Sequence, residues 1–168
     1  MTMAASPVRR QSQRGVALVE FALVLPLLLL LLFGITETGR AVFEYDSLVK
    51  ATRGAARYLS NAAPGDATAR AVATCLAVYA QGDAGGQVQC SGTPLAPGLD
   101  ASMVRICDSV DASACPGDGP YALAGGVNLV AVKIAGYTFD TAVDFQLFGW
   151  HFGLPPISFG PISTTMRQ

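Results

Sequence analysis

The sequence predicts an α+β protein, with a long N-terminal transmembrane and amphipathic helix followed by a small domain that contains a second helix and a short antiparallel sheet. Three features support this prediction: an apolar run at residues 16–35, an amphipathic pattern that extends it to about residue 60, and short β-type segments further along. Only 14% of the 168 residues are charged, whereas 51% are hydrophobic. A soluble domain typically has roughly 25% charged residues, so the composition indicates a membrane protein.

The apolar run is long enough to cross a bilayer. Its 20 residues extend about 30 Å as a helix, which matches the hydrocarbon thickness. Nine leucines, three valines, two phenylalanines and one isoleucine contribute about −5 to −9 kcal/mol to insertion, whereas Glu20 costs at most about 3 kcal/mol. We therefore expect residues 16–36 to form a transmembrane helix, loosened locally by Pro26.

The charges that flank the run predict its orientation. Arg9, Arg10 and Arg14 precede it with no acidic residue among residues 1–15, so we expect this basic leader to be cytoplasmic and the rest to be exported. A secretory signal peptide is the alternative, with cleavage after a small residue near Gly34. The run is longer than the usual core of such a peptide, and a helical pattern follows it without a break.

Residues 37–60 continue the helix with one apolar stripe, which consists of Ala41, Tyr45, Leu48, Thr52, Ala55 and Leu59. Three charge pairs can form along the same helix: Glu37 with Arg40, Arg40 with Glu44, and Asp46 with Lys50. We interpret the stripe as a face that packs against the following domain. Contact with neighbouring copies of the helix is the alternative, and both can hold.

Residues 61–168 are predicted to form an exported α+β domain. Asp66 is placed to cap a second helix that ends near Tyr79. Short strands are expected at residues 88–90, 103–107, 127–139 and 162–166, between clusters of glycine, proline and aspartate.

All four cysteines lie in the part predicted to be exported, where an oxidising compartment favours disulfides. Three connectivities are possible, and we favour Cys75 with Cys90 and Cys107 with Cys115 because local loops close easily. Free buried thiols are the alternative. No metal site is expected, because no closely spaced Cys or His ligand pairs occur.

Composition and motifs argue against catalysis and against nucleic-acid binding. The net charge is −1, and no basic patch is present. His151 is the only histidine, and it lies between Trp150 and Phe152. An enzyme would need a pocket that joins it to a carboxylate such as Asp140 or Asp144. We expect no enzyme activity and no cofactor.

The basic leader ends in Gly15, followed by Val16, by Glu20 four residues further on, and by an uninterrupted helix. This arrangement resembles the class III leader of type IV pilin-like proteins, and in particular the TadE-like family of the tight-adherence (Tad) system. The resemblance rests on "RGVALVEFALVLPLLLLLLFGITETGR" and "LVKATRGAARYLS", with a looser similarity in "VNLVAVKIAGYTF" and "MRQ". Residues 61–126 carry nothing diagnostic.

The resemblance implies a minor pseudopilin or pilus-assembly subunit, cleaved by a prepilin peptidase between Gly15 and Val16. The new amine on Val16 would pair with Glu20 of an adjacent subunit. The implied partners are the peptidase, other pilins and minor pseudopilins, the inner-membrane assembly platform and the lipid bilayer. The implied location is the bacterial inner membrane, with the domain periplasmic or carried into a surface pilus. The alternative is an uncleaved single-pass protein with an exported binding or adhesive domain.

Overall fold

A computed structural model describes residues 14–80, 90–142, 144–147, 150–153 and 155–168. The chain divides into two compact units, Met1–Thr36 and Glu37–Gln168. The α+β prediction is confirmed: a long apolar N-terminal helix precedes a second helix and small antiparallel sheets. Of the predicted leader, residues 1–15, the structure describes only Arg14 and Gly15.

Helix α1 (Arg14–Leu59) contains the whole apolar run and continues through Pro26. From Gly15 onward it is long and apolar enough to cross a membrane, and none of its most apolar window is buried. The leucines of the apolar run are exposed accordingly, for example Leu18 at 69% and Leu23 at 75%. Side chains of this kind are stable in hydrocarbon, and in water they would form an apolar patch far larger than soluble proteins carry.

The second part of α1 packs against the domain through the predicted stripe, with one difference. Ala41, Leu48, Thr52, Ala55 and Leu59 are buried, as expected. Tyr45 is instead 46% exposed, and the buried helix face includes two glutamates, Glu37 and Glu44. These glutamates are buried because groups of the domain donate hydrogen bonds to them, as described below.

Helix α2 (Ala67–Tyr79) begins where the sequence predicts. The Asp66 carboxylate accepts hydrogen bonds from the backbone N–H groups of Thr68 and Ala69, at 2.8 and 3.1 Å. An N-cap of this kind satisfies donors that have no partner within the helix. A short 3₁₀ helix (Ala101–Met103) follows, capped in the same way by Asp100.

The main sheet has four antiparallel strands, and three of them pair with the fourth, which is central. In chain order its strands are β1 (Val104–Cys107), β2 (Ala122–Leu123), β3 (Val127–Ile134) and a C-terminal strand, Ile162–Arg167. The central strand β3 pairs with all three, with Ile106 opposite Val132, Ala122 opposite Asn128, and Ala131 opposite Thr165. A strand with neighbours on both edges is buried, and Val130 and Val132 are fully so.

Two further sheets have two strands each. In one, β4 (Thr138–Phe139) pairs with β7 (Ile157–Ser158), and in the other, β5 (Asp144–Leu147) pairs with β6 (Trp150–Gly153). The C-terminal strand Ile162–Arg167 is therefore β8. The predicted strand 127–139 is divided into β3 and β4, because Gly136 adopts a φ of +79° that breaks the extended backbone. Of the strand expected at 88–90, only Cys90 lies within the described residues, and it is not in a strand.

Small side chains let the two helices approach the sheet closely. The larger core cluster joins alanines of both helices to valines of β3, and it comprises Ala55, Ala56, Leu59, Ala69, Ala73, Ala77, Ile106, Val130 and Val132. The Gln168 side-chain amide donates to the carbonyls of Leu59 and Ala62, at 3.2 and 3.0 Å. The end of α1 thus gains partners for carbonyls that a helix terminus leaves open.

Both disulfides have the connectivity that proximity along the chain favours. Cys75 of α2 is bonded to Cys90, and Cys107 of β1 is bonded to Cys115, with Cα–Cα distances of 5.0 and 6.2 Å. All four cysteines lie within the described residues, and none of them is free. The first bond ties α2 to the segment that precedes the 3₁₀ helix, and the second closes the loop after β1.

Candidate functional site

The residues singled out by the leader pattern lie in α1, next to the first residue that the structure describes. Gly15 is helical, and a Cβ placed on it would contact no described atom within 4 Å. Packing against the part of the chain that the structure describes therefore gives no reason for a glycine there. Its neighbour Val16 is 63% exposed.

Val16 and Glu20 lie one helical turn apart, about 6 Å along the axis. Residues at this spacing occupy the same helix face. The Glu20 side chain is exposed, and it has no hydrogen-bond or ion-pair partner among the residues that the structure describes. An unpaired carboxylate in hydrocarbon is costly, so a partner outside the chain would stabilise it substantially.

A second group of polar residues occupies the start of the other compact unit. We call it the juxtamembrane cluster: Glu37, Arg40, Glu44, Tyr137 and the backbone of Ala142. Glu37 is 4% exposed, and its carboxylate accepts two hydrogen bonds from Arg40 Nη1, at 3.1 and 3.0 Å. Its Oε2 also accepts from the Ala142 N–H at 3.3 Å. The first turn of this unit is therefore held to the chain that follows β4.

Glu44 extends the cluster one turn further along α1. Its Oε2 accepts a hydrogen bond of 2.8 Å from the Tyr137 hydroxyl, and its Oε1 lies 3.6 Å from Arg40 Nη2. Burial, together with the carboxylate of Glu44, raises the pKa of Tyr137 well above its usual range. The Tyr137 hydroxyl consequently stays protonated and keeps its role as a donor. The Arg40 guanidinium also lies 5.2 Å from the ring centroid of Phe139, within the range of a cation–π contact.

The charges of the cluster do not cancel. Two carboxylates share one guanidinium, and Arg40 is 42% exposed on the side that faces water. Buried charges are stable only when paired and hydrogen-bonded, and here each carboxylate has at least two such contacts. The sequence predicted both pairs along the helix but not their burial. No local signal could have revealed the burial of the two glutamates, because the Tyr137 hydroxyl and the Ala142 N–H are distant from them in sequence.

A third polar centre supports the loop after β1. Asp108 is 2% exposed and accepts three backbone hydrogen bonds, from Gly65, Val110 and Asp111, at 3.1, 2.9 and 2.9 Å. The Arg70 side chain of α2 pairs with Asp111 at 3.1 Å. Hydrogen bonds from Ser113 hold the pKa of Asp111 below its usual value. Since every buried group here has a partner, the role of this centre is structural.

For two of the residues that an enzyme would require, the structure describes only the backbone register. His151 of β6 is paired with Gln146, whereas Asp144 is paired with Gly153. The side chains of His151 and Asp144 lie outside the described residues, and Asp140 precedes them in the turn after β4. Within the described ranges, no three His, Cys, Asp or Glu side chains are grouped so as to hold a metal ion.

The fold and these sites define a class of protein: one membrane-capable helix that continues into an α+β domain stabilised by two disulfides. The family model described as "TadE-like protein" matches residues 15–57, about a quarter of the chain. The TadE-like resemblance is thereby confirmed over α1, including Gly15, Val16 and Glu20. No curated protein and no solved structure gives a significant match to the chain.

The TadE-like family comprises pilus-associated structural proteins, and this chain is similar to it over residues 15–57. The match ends within α1 and does not extend to the domain. Among the described residues, one long apolar helix suggests a single-pass membrane protein.

Proposed function

We propose that this protein is a minor pseudopilin or pilus-assembly subunit of a Tad-type secretion and adhesion system. In this proposal a prepilin peptidase removes residues 1–15, and the mature chain begins at Val16. The observation that carries the proposal is the exposed Glu20, which lies in an apolar helix without a partner among the described residues.

The chemistry of cleavage gives a role to both Val16 and Glu20. Hydrolysis of the Gly15–Val16 peptide bond leaves a charged amine on Val16. The Val16 amine of one subunit then serves as the counter-ion for Glu20 in the helix of a neighbouring subunit. Each charge alone is costly in hydrocarbon, and pairing them reduces this cost while it fixes the axial position of one helix beside another.

Gly15 is suited to the peptidase for a steric reason. A protease must bring an extended backbone close to its catalytic groups, and a residue without a Cβ permits the closest approach. The open space around Gly15 supports this interpretation, because no contact with a described residue requires a glycine at that position.

The direction of insertion follows from charge. The arginines of the leader keep the N-terminus in the cytoplasm of a bacterial cell, so the unit that begins at Glu37 is periplasmic. Both disulfides lie in that unit, as an oxidising compartment favours. From the membrane the subunit either joins or primes a bundle of other pilins on the assembly platform.

The test is the mass and N-terminal sequence of the protein extracted from its native membrane. We expect the mature chain to begin at Val16, and we expect Gly15→Arg to accumulate at full length. Ser12→Arg is the matched control, because it adds the same charge to the leader and leaves Gly15 unchanged at the cleavage site. A wild-type protein that still begins at Met1 or Thr2 would support the uncleaved membrane protein with an exported binding domain instead.

A second variant separates cleavage from assembly. Glu20→Gln keeps the size of the side chain but removes the charge that attracts the Val16 amine. We expect it to be processed normally and to co-purify less with the other pilins of the system. Undiminished co-purification would show that the pairing of Glu20 with a neighbouring amine does not contribute to assembly.

A further inference from the structure

The outer edge of β8 carries backbone groups that do not bond to β3. The backbone N–H of Gln168 donates to the Asn128 carbonyl at 2.8 Å, and this pair continues the register of β8 with β3. In an antiparallel pair, hydrogen-bonded positions alternate with positions whose backbone groups point to the opposite side. The N–H and C=O groups of Ser163, Thr165 and Arg167 therefore point away from β3.

This edge has no partner strand in the described part of the chain. Ser163, Thr165 and Arg167 are exposed, and β8 runs in regular register over 6 residues without the proline or bulge that often protects a free edge. The opposite edge of the sheet differs, since the Arg70 side chain of α2 donates to the outward carbonyl of Ile106. The fold thus protects the edge at β1 and leaves the edge at β8 able to pair.

An apolar strip of α1 lies beside the same edge. Val42, Tyr45 and Val49 recur every three or four residues and so share one side of the helix, which we call the α1 strip. The Tyr45 ring lies 5.4 Å from the ring of Phe159, just before β8. Val49 packs against the core cluster that contains Ile162, the first residue of β8. The α1 strip therefore faces the β8 side of the domain.

The α1 strip is only partly covered. Val42 is 62% exposed and Tyr45 is 46% exposed, whereas Val49, closest to the core, is half-buried. Neighbouring strands lie about 4.8 Å apart, so the sheet ends about one strand short of covering this side of α1. A strand added to β8 would bond to its outward N–H and C=O groups and would place every second side chain over the α1 strip.

Two cations border the position that such a strand would take. Arg53 lies one turn beyond Val49 on α1, and Arg167 is the last residue of β8. Both are exposed, and neither belongs to an ion pair of the described residues. The surface that surrounds the edge is therefore complementary to a segment that carries carboxylates.

We propose that the outer edge of β8 binds an extended segment of a partner protein, which adds a strand to the four of the main sheet. The segment has apolar residues at alternate positions, over the α1 strip, and acidic residues where it passes Arg53 and Arg167. In strand addition, main-chain hydrogen bonds provide the affinity, and the alternate side chains provide the specificity. The surface lies entirely within the unit Glu37–Gln168, so it depends neither on removal of the leader nor on the pairing of Glu20.

The test measures amide hydrogen exchange by NMR on the full chain in mild detergent, with a soluble peptide as the probe. The peptide has about eight residues, in which valine alternates with threonine and glutamate. We expect saturating peptide to slow the exchange of the Ser163, Thr165 and Arg167 amides by about tenfold or more. The amides of Thr164 and Met166 point toward β3 and should not change, so alternate residues of the same strand serve as the control.

Two altered peptides separate the two sources of binding. Methylation of alternate backbone nitrogens removes the donors that would face β8 and keeps the side chains, so it should abolish the protection. Replacing each glutamate by lysine should weaken binding by about tenfold. Equal binding of the methylated peptide would refute strand pairing, and equal binding of the lysine peptide would refute an acidic partner.

Two kinds of variant locate the site on the protein. Thr165→Pro removes an outward N–H that the fold does not use, so the domain should stay folded and peptide affinity should fall by about tenfold or more. Val42→Asp and Val110→Asp introduce the same charge at residues that are 62% and 70% exposed, but Val110 lies beside Gly65 in the loop after β1. Only Val42→Asp should weaken binding, and equal weakening by both would contradict the role of the α1 strip.

Exchange before the peptide is added distinguishes the other possible occupants of the edge. Slow exchange of the Ser163, Thr165 and Arg167 amides that depends on protein concentration would show that a second copy occupies the edge. Slow exchange that does not depend on concentration would show that another part of the same chain covers it. Either result overturns the proposal, as does the absence of any protection at about 1 mM peptide.

Discussion

Replacing Arg40 by methionine tests whether the juxtamembrane cluster holds the domain to α1. The substitution removes both hydrogen bonds from Arg40 to the buried Glu37 and leaves that carboxylate with the Ala142 N–H alone. Breaking a buried ion pair by removing one partner costs about 3–5 kcal/mol. Arg40 is 42% exposed, so water replaces part of what is lost, and we expect about 2–3 kcal/mol.

The matched control is Lys50→Met on the same helix. Lys50 pairs with Asp46 at 2.6 Å, but the two side chains are 72% and 54% exposed. An exposed pair one turn apart contributes only about 0.3–0.5 kcal/mol. The two variants remove the same charge and introduce the same side chain, so the difference between them reports the burial of the acidic partner.

The assay is thermal unfolding of the full chain in mild detergent, followed by near-ultraviolet circular dichroism. For a domain of this size each kcal/mol lowers the melting temperature by about 3–4 °C. We expect a decrease of about 7–11 °C for Arg40→Met and of about 1–2 °C for Lys50→Met. Adding Glu37→Gln to Arg40→Met should restore part of the loss, because a neutral amide needs no cation. Equal decreases for the two single variants would refute the interpretation of Glu37 as a buried, charge-dependent anchor.

Two further predictions concern the rest of the domain. Asp108→Ala removes the acceptor of three backbone N–H groups and should destabilise the domain by about 2–4 kcal/mol in urea unfolding, whereas Asp100→Ala, at an exposed cap, should have a smaller effect. Tyr137→Phe tests the raised pKa of Tyr137. Below pH 10 the protonated hydroxyl makes its full contribution to stability. Above pH 10 the phenol of the unfolded chain ionises, so this contribution falls by about 1.4 kcal/mol per pH unit. The stability difference between the wild type and Tyr137→Phe should thus be constant from pH 7 to about pH 9 and should shrink above pH 10, and a constant difference up to pH 11 would contradict the assignment.

Local patterns predicted most of the helical structure. The apolar run, the stripe that follows it and the cap at Asp66 each depend on neighbours within one or two turns, and α1 and α2 have nearly the predicted bounds. The same applies to both disulfides, whose partners are 15 and 8 residues apart. Gly15, Val16 and Glu20 were singled out by the resemblance to the leader of type IV pilin-like proteins, and their roles in cleavage and assembly stay a prediction.

The strands were predicted less well, since strand length depends on what pairs with each edge. The long segment 127–139 has β-type residues throughout, but Gly136 breaks it and only its first part becomes the central strand. The pairs β4–β7 and β5–β6 were not expected from composition. Neither register can be read from a single strand, because each requires knowledge of the partner.

The sequence by itself determined that this protein has a membrane-length helix with one carboxylate near its start, an amphipathic continuation and two local disulfides. Only the tertiary structure decided that Glu37 and Glu44 are buried while Tyr45 is exposed. Helical periodicity specifies which residues share a face, but the groups that make burial of a carboxylate possible, the Tyr137 hydroxyl and the Ala142 N–H, lie 93 and 105 residues away from the glutamates they contact. A carboxylate can be buried only where such donors contact it. Local sequence patterns do not show which distant residues will supply those donors.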